Sequence, residues 1–571
     1  MTHNDLKQRA CLSTFLRDKF AVLCEQILLN QINNALSLAQ LFVYTVDDIR
    51  AIQRSIMEPH SYDKLYAPFK PYWAYWRELS EEAVYNGLML NGWFADKLPP
   101  IFTAEKFVSY CNKRKMISNN SRSDWIRFNY IRCNGQYREF GIPTPFTYER
   151  LAHGLASRWS DIVHHVQNHT LLQPYAVSRI HPRVIPGSKA IFQMNYSNWM
   201  NDPNPEPAIL IGNKFVVKCD ISTCFPSIYT HSLPWAIMGR GNAKLSRRSG
   251  NNSWADEIDA LLQKVCDGET HGLLVGPHAS NVVSELILTV IDARLFNKGY
   301  RFVRNIDDYS CYVASRYEAE QFIISLQEAL SEFRLTLNQK KTEILELPIA
   351  LSNSWVNSLR RNEPNEANPL GYKDVSSFLE YAVSLLPNYQ NNASILLYAF
   401  KMLVSHSLKP SAKAYFRDYA LHLAIVYPYL LPTFEETIIE PLSLDKDYIE
   451  CLSNIIISEC LNHGDYLSVC YGLYYAIKFD FEVDMPDFED IERANDCLLY
   501  LFVYLYAKHF RNNALLDRLG DLAAKFPEEG REFEEMWLFL YHIRSKDSLP
   551  PNEWRAIKNK GIKFIKPEYS N

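Results

Sequence analysis

Three aspartates in this chain of 571 residues have neighbours that suit metal chemistry. Asp220 closes an apolar run, and Asp307 and Asp308 stand side by side between two hydrophobic runs. Adjacent acids in such a setting repel each other unless a cation compensates them. Nucleotidyl transfer uses two metal ions about 3.5–4 Å apart, held by carboxylates on rigid elements. Because Mg²⁺ prefers oxygen ligands, we expect these aspartates to hold such ions if the fold brings them together.

The segments around these aspartates predict the elements that position them. KFVVKCD (214–220) is β-branched and lies between polar turns, which predicts a strand. YRFVRNIDDYSCYVA (300–314) has two β-rich runs around an acidic tip, which predicts a hairpin, although the usual Asn-Gly turn is absent. Further predictions are helices at 232–239, 254–267 and 317–334 and an exposed basic loop over 240–253.

Five segments, in this order along the chain, resemble the motifs of reverse transcriptases. A lone aspartate usually caps a helix and a lone Asp-Asp pair usually forms a turn, so each motif alone is weak. The resemblance covers roughly residues 138–348 and includes all the elements in family order. The matching segments are REFGIPTP (138–145), CDISTCFPSIYTHSLPWA (219–236), GLLVGPHASNVVSELIL (272–288), NIDDYSCYV (305–313) and LTLNQKKTEIL (335–345).

The chain is more narrowly similar to the bacterial abortive-infection and defence-associated reverse transcriptases. The first catalytic motif, the glycine-proline motif and the long helical extension carry this likeness. It implies a role in antiphage defence and an assembly of identical subunits, either a trimer or a hexamer. Several members of that group make DNA without a template from a protein hydroxyl, so that the product stays attached to the protein. Others copy a dedicated noncoding RNA.

The resemblance also implies an α+β fold and three regions. We expect an N-terminal helical region at 1–100 and a fingers and palm domain, an antiparallel sheet with helices, at 101–370. A C-terminal all-α domain of helical repeats is expected at 371–571, where amphipathic helices follow each other with short turns.

Residue roles follow from the motif positions. Asp220 and Asp307 are the expected ligands of two Mg²⁺ ions, with Mn²⁺ as an alternative, and Asp308 either ligates or tunes the site. Phe225 lies where the family places an aromatic ring that excludes a 2′-hydroxyl, although a core position is also open to it. The remaining expected contacts to the dNTP are Arg138 at the triphosphate, Lys341 near the leaving group, and Gly276 and Pro277 at the pocket floor.

Three features depart from the family pattern. His271 stands where many relatives carry Gln, which weakens the expectation of ordinary template contacts. Asn305 stands where many have a Tyr or Phe, two residues before the aspartate pair, which suits an unusual primer. The stretch 178–192 matches no fingers motif, and we interpret its Arg179, Arg183 and Lys189 as part of a solvated loop.

Composition sets limits on location and on nucleic-acid contacts. The chain is 47% hydrophobic with a net charge of −5, yet residues 106–140 carry eight Lys/Arg against two acids, net +6. Residues 431–500 carry sixteen acids against three Lys/Arg, net −13, so nucleic acid is expected at the front half. Twelve cysteines without CxxC pairs, a polar start and no apolar run of about 18 residues predict a reduced cytoplasmic protein outside the membrane.

Three functions remain open on the sequence. The first is untemplated, protein-primed synthesis, for which the N-terminal tyrosines Tyr44, Tyr62, Tyr66 and Tyr72 are candidate primers. The second is templated reverse transcription of a partner RNA held by the basic 106–140 segment. The third is a non-enzymatic scaffold, which three clustered acids disfavour. An intron maturase is disfavoured because its RNA-binding thumb is basic, whereas this C-terminal region is acidic.

Overall fold

The computed structural model describes residues 70–114, 121–182, 192–193, 204–250, 252–350, 354–364, 369–551 and 553–569. Residues 66–571 form one compact unit, and Met1–Leu65, a separate unit, lies outside the described residues. Most of the predicted helical region at 1–100 therefore lies outside them as well. The boundaries predicted near residues 100 and 370 stay predictions.

A four-stranded antiparallel sheet lies at the centre of the predicted motif region. Its strands are β5 (Phe215–Asp220), β6 (Arg301–Asn305), β7 (Asp308–Val313) and β8 (Glu343–Glu346). Their order across the sheet is β6-β7-β5-β8. The inner strand β5 has the β-branched composition that suits a pleated, buried surface, and Val216, Val217 and Cys219 are buried.

A second antiparallel hairpin precedes this sheet in the chain and contacts the C-terminal helices. It consists of β1 (Trp125–Ile131) and β2 (Tyr137–Pro143), and a short pair, β3 (His181–Pro182) and β4 (Phe192–Gln193), follows it. Arg127 Nη1 lies 2.8 Å from Glu535 Oε1. This contact packs the hairpin against the C-terminal region.

Helices surround the sheet, and one of them is buried almost entirely. Seventeen of the twenty residues of His278–Asn297 are buried, as expected of a helix covered on all sides. The helices up to residue 332 are α1 (Tyr72–Arg77), α2 (Glu81–Leu90), α3 (Glu105–Arg114), α4 (Pro145–Ser157), α5 (Trp159–Thr170), α6 (Glu206–Ile209), α7 (Cys224–Ser227), α8 (Ser232–Met238), α9 (Arg240–Ser249), α10 (Trp254–Val265), α11 (His278–Asn297) and α12 (Arg316–Glu332).

The loop prediction for 240–253 is wrong over most of its length, because α9 occupies Arg240–Ser249. The polar Ser, Asn and Gly residues led to the loop interpretation. The segment also contains Ala, Leu, Lys and Arg, which favour helix. Gly250, with φ of 72°, ends the helix in the left-handed conformation that glycine adopts easily.

The chain from residue 354 onward contains only helices among its described residues. Helices that are near each other in the chain also contact each other: Lys446–Asn462 packs on Tyr466–Phe479, which packs on Cys497–His509. These helices are α13 (Ser354–Arg361), α14 (Tyr372–Leu385), α15 (Ser394–Leu403), α16 (Pro410–Val426), α17 (Leu431–Phe434), α18 (Glu440–Leu442), α19 (Lys446–Asn462), α20 (Tyr466–Phe479), α21 (Phe488–Ala494), α22 (Cys497–His509), α23 (Asn513–Lys525), α24 (Arg531–Glu535), α25 (Trp537–Ile543) and α26 (Glu553–Asn559).

The structure is therefore α+β, mostly helical with small antiparallel sheets. The assignment of these parts as fingers, palm and helical repeats stays a prediction. Among the described residues, no helix is both long enough and apolar enough to cross a bilayer.

Candidate active site

The structure brings the three predicted aspartates together at one edge of the four-stranded sheet. β5 pairs with β7 in a register that sets Asp220 directly opposite Asp308. Side chains at directly opposed positions of antiparallel strands lie on the same face, about 4.5–5.5 Å apart. The backbone N–H of Ile221 donates to the Asp307 carbonyl at 3.1 Å, which ties the tip to the same strand end. One carboxylate oxygen from each aspartate lies within 4.8 Å of those of the other two.

The hairpin that carries Asp307 has a strained tip. Asn305 pairs with Asp308, so Ile306 and Asp307 form a two-residue loop. Ile306 has φ of 55°, a left-handed conformation that is costly for a β-branched residue. The Arg304 guanidinium donates to the Ile306 carbonyl at 2.8 Å. A contact from inside the protein thus supports the turn that positions the aspartate pair.

Arg304 belongs to a fully buried ion network. Its guanidinium lies 2.7 Å from Glu285 and 2.8 Å from Asp292, two acids seven residues apart on α11. The Tyr309 hydroxyl donates to Asp292 at 3.0 Å. A buried arginine needs such carboxylate partners to offset the loss of hydration. The network therefore fixes β6 and β7 against the buried helix.

The electrostatics of the carboxylate cluster favour a bound cation. Removal from water, and next the charge of Asp220, raise the pKa of Asp307 above its ordinary value. Removal from water, and next the charges of Asp307 and Asp220, raise the pKa of Asp308 to about 7. Three oxygen donors in mutual repulsion, with Asp308 still reaching solvent, fit a hard divalent cation such as Mg²⁺.

Lys341 and Asn338 both contact Asp220. Lys341 Nζ lies 3.1 Å from Asp220 Oδ1, and the Asn338 side-chain amide donates to Oδ2 at 3.0 Å. The Asn338 backbone N–H also donates to the Asp220 carbonyl at 2.8 Å. These contacts hold one carboxylate in a fixed orientation and place a partly exposed cation beside it.

Arg138 lies on β2, within electrostatic reach of the cluster. Its charge lowers the pKa of Asp307, although burial and Asp220 outweigh it. Arg138 is half-buried and Lys341 is 56% exposed. Two cations therefore approach the carboxylates from different elements, as a site for a polyanionic substrate requires.

Phe225 is 7% exposed and lies on a strip formed by two of the motif segments. Its carbonyl accepts from the Leu273 N–H at 2.8 Å, and the Ile228 carbonyl accepts from the Gly272 N–H at 2.9 Å. These bonds fix the backbone that carries the buried ring. Its expected contact with the sugar of a nucleotide stays a prediction.

Gly276 and Pro277 lie in the loop that leads into α11 and packs against β2. Gly276 has φ of 119°, and a Cβ there would lie 3.2 Å from Phe140. The neighbouring Val275 carbonyl accepts from the Gly141 N–H at 2.9 Å, and Pro277 caps α11. The positive φ, which L side chains rarely adopt, and the tight contact with Phe140 are the physical reasons for glycine here. The expected role of this pair at the pocket floor stays a prediction.

Tyr72, one of the candidate primers, is buried and already bonded. It is 2% exposed, and its hydroxyl lies 2.8 Å from Glu285 Oε2 and 2.9 Å from the Ile180 carbonyl. In this conformation the hydroxyl is not accessible for nucleotide attachment. Tyr44, Tyr62 and Tyr66 lie outside the described residues, as do Arg183 and Lys189, whereas Arg179 is buried rather than part of a solvated loop.

Sequence reasoning missed several residues that position the site. Asn338 lies inside the lysine motif LTLNQKKTEIL, and its position three residues before Lys341 is the sequence signal that could have identified it. Glu285 and Asp292 are acids within an apolar helix, and Arg304 is a cation within an apolar strand. Charges in such segments indicate a buried network, but their pairing depends on the tertiary structure.

Comparisons with known proteins add little to this geometry. No protein-family model matches the chain, and no curated protein matches it. A solved structure of telomerase from Candida albicans, in complex with a TWJ fragment of telomeric RNA, is similar at 12% sequence identity and a TM-score of 0.26. That likeness covers 62% of this chain and 68% of the telomerase chain. Values this low support no conclusion about function.

Proposed function

We propose that this chain is a nucleotidyltransferase of the reverse-transcriptase type that adds dNTPs to a growing DNA end. The observation that carries the proposal is the carboxylate cluster of Asp220, Asp307 and Asp308, in which one oxygen from each acid lies within 4.8 Å of the other two. Asp220 and Asp308 lie on two paired strands, and Asp307 lies in the turn beside them. Carboxylates on rigid strand ends are what two-metal phosphoryl chemistry needs.

The residues around the cluster have distinct roles in this proposal. Mg²⁺, when bound by Asp220 and Asp307, supplies the positive charge that favours attack by a hydroxyl and departure of pyrophosphate. Asp308 supplies a further oxygen or tunes the charge. Arg138 and Lys341 bind triphosphate oxygens, and Lys341 can leave Asp220 for the substrate because its side chain is largely exposed.

Phe225 selects deoxynucleotides in this proposal. Its ring is buried, and the backbone that carries it is held by the bond from the Leu273 N–H. A rigid ring under the sugar leaves no room for a 2′-hydroxyl, whereas a mobile one would yield.

The biological part of the proposal rests on the motif resemblance. We infer that the enzyme acts in antiphage defence in the cytoplasm, without a template, with a protein hydroxyl as primer, and as a homo-oligomer of three or six subunits. Under this reading the DNA product stays covalently attached to the protein.

The direct test is incubation of the protein with each labelled dNTP and Mg²⁺, without added template or primer. We expect product that stays with the protein after denaturation and that disappears in Asp307→Asn. Asp521→Asn, on exposed α23, is the matched control and should retain activity. Product in the Asp307→Asn variant would contradict the proposal, and product released on denaturation would contradict protein priming.

The alternative is templated reverse transcription of a noncoding RNA. It is favoured by Lys106, Lys113 and Arg132, which are exposed cations in the basic 106–140 segment. Sequencing of RNA that copurifies with the protein separates the two. One abundant structured RNA, together with product that depends on it, supports the templated reading.

A further inference from the structure

Helix α9, absent from the sequence-based prediction, is anchored by one face only. Ala243 is its one buried residue, at 2% exposure. Arg247 forms ion pairs with Asp256 and Asp259, both of which lie on the adjacent α10. These contacts hold the helix in place and leave its opposite face in solvent.

A row of cations lies on α9 beside the face that carries Ala243 and Arg247. Arg240, Lys244 and Arg248 follow each other at four-residue steps and are all exposed, and none of them forms an ion pair with the described residues. Steps of four residues place them on one face, about 6 Å apart along the axis. Like charges at this spacing destabilise a helix, so the row is expected to meet an anionic partner.

Aromatic rings and further cations extend this row into a ladder. The Arg240 guanidinium lies 4.7 Å from the Trp235 ring centre, and that of Arg334 lies 5.6 Å from the same ring and 4.4 Å from Tyr229. The Tyr229 ring lies 5.0 Å from that of His271. Arg334 and His271 are exposed. Planar groups that alternate in this way stack well with nucleobases.

The ladder lies near the carboxylate site. Arg334 is four positions before Asn338, which bonds to Asp220, so the chain spans at most about 14 Å between these two residues. At the other end of the ladder, His271 precedes Gly272, whose N–H belongs to the strip that holds Phe225. A DNA strand that leaves the site would thus contact the ladder first and α9 next.

We propose that Arg240, Lys244 and Arg248, with the ladder from Trp235 to His271, form a binding surface for single-stranded DNA that leaves the carboxylate site. Cations suit its phosphates, and the exposed planar groups of Arg334 and His271 suit unpaired bases, which a duplex would hide. The buried Trp235 and the half-buried Tyr229 lie against these groups. An acidic protein surface would use the cations but not the ladder. This inference rests on the proposed function, because it takes DNA as the product.

The test is binding of a fluorescent oligo(dT) of about 20 nucleotides, measured by anisotropy from 0.05 to 1 M salt, without dNTPs or Mg²⁺. The main variant is R240Q/K244Q/R248Q. Its control is K373Q/K546Q/K560Q, which removes three exposed lysines elsewhere and gives the same net charge. His271→Ala and Arg334→Gln test the ladder, and oligo(rU) tests the preference for DNA.

Loss of three phosphate contacts should lower the slope of log affinity against log salt by about 2. This corresponds to roughly a hundredfold weaker binding at 0.1 M salt and little change at 1 M salt. His271→Ala should weaken binding at both salt concentrations, because it removes a stacking group. Arg334→Gln removes a stacking group and a cation, so it should weaken binding at both salt concentrations and also lower the salt slope by up to about 0.7. The control variant should bind as the unmodified protein does.

Equal binding and equal slopes for the main and control variants would overturn the inference, as would no binding of oligo(dT) by the unmodified protein. Loss of oligomers in light scattering, with DNA binding unchanged, would assign the cations to a second protein copy instead. Stronger binding of oligo(rU) than oligo(dT) would assign the surface to RNA. DNA binding lost in the main variant, in a protein that adds no nucleotides, would uphold this surface and reject the proposed polymerase.

Discussion

Replacement of Arg304 by methionine removes the cation that lies between Glu285 and Asp292. The guanidinium is fully buried, and both acids have at most 2% of their side chains exposed. Methionine fills most of the volume but leaves two buried carboxylates without a compensating charge. Loss of one partner from a buried ion pair typically costs about 3–5 kcal/mol. The Tyr309 hydroxyl still donates to Asp292, so we expect the lower part of that range.

The assay is urea unfolding at pH 7, followed by tryptophan fluorescence. The surface control is Arg316→Met, since Arg316 is 70% exposed and, among the residues that the structure describes, pairs only with Glu320 four residues away. Exposed pairs contribute about 0–1 kcal/mol. The compensated variant R304M/E285Q/D292N should be more stable than Arg304→Met, because it removes the two charges that the arginine neutralised.

A free energy of unfolding for Arg304→Met within about 1 kcal/mol of the unmodified protein would refute this reasoning. No recovery in the compensated variant would show that shape, rather than charge, is what Arg304 contributes. Because Arg304 also supports the Ile306 carbonyl at the strained tip, both variants should lose nucleotide addition even under conditions where they are folded.

Three further predictions concern single side chains. Phe225→Val should raise incorporation of ribonucleotides relative to deoxynucleotides by roughly tenfold or more, a change of about 1.4 kcal/mol in selectivity; a loss of stability alone would make the ring a core residue. Gly276→Ala should lower the free energy of unfolding, measured by thermal unfolding, by about 1–3 kcal/mol, because φ is 119° and the new Cβ would lie 3.2 Å from a phenylalanine ring. Its control is Gly520→Ala, at a helical position with open space, which should stabilise the protein. Burial lowers the pKa of His542 to about 3. Its contribution to stability is therefore complete above pH 6.5 and is lost as the pH falls towards 3, and the loss at pH 5 is about 2 kcal/mol. In urea unfolding at several pH values, His542→Phe should flatten this dependence, and His422→Gln, at an exposed position, should leave it unchanged.

Much of the local structure around the site follows from the sequence. The strand that ends at Asp220 and the hairpin around Asp307 form where β-branched runs meet polar turns. Residue pattern over five or six positions is enough for such elements, because backbone preference and alternating burial act locally. The helices at 232–239, 254–267 and 317–334 follow in the same way, within one or two residues at most ends.

Helix α9 shows where local reasoning fails. Its polar composition suits a loop and a helix equally, and tertiary contacts decide the outcome: Ala243 is buried, and Arg247 pairs with Asp256 and Asp259 on α10. Packing of this kind outweighs weak local preferences. The cation row on its outer face becomes recognisable only once the helical spacing is known.

The sequence by itself determined which acids could act together and the order of the elements that carry them. The tertiary structure alone decided that Asp220 faces Asp308, which lies 88 positions further along the chain, that Asn338 and Lys341 bind Asp220, and that Arg304 supports the tip. Strand register and buried charge pairing depend on side chains far apart in the chain. Their energies arise only when the core closes and water leaves, so no local pattern encodes them.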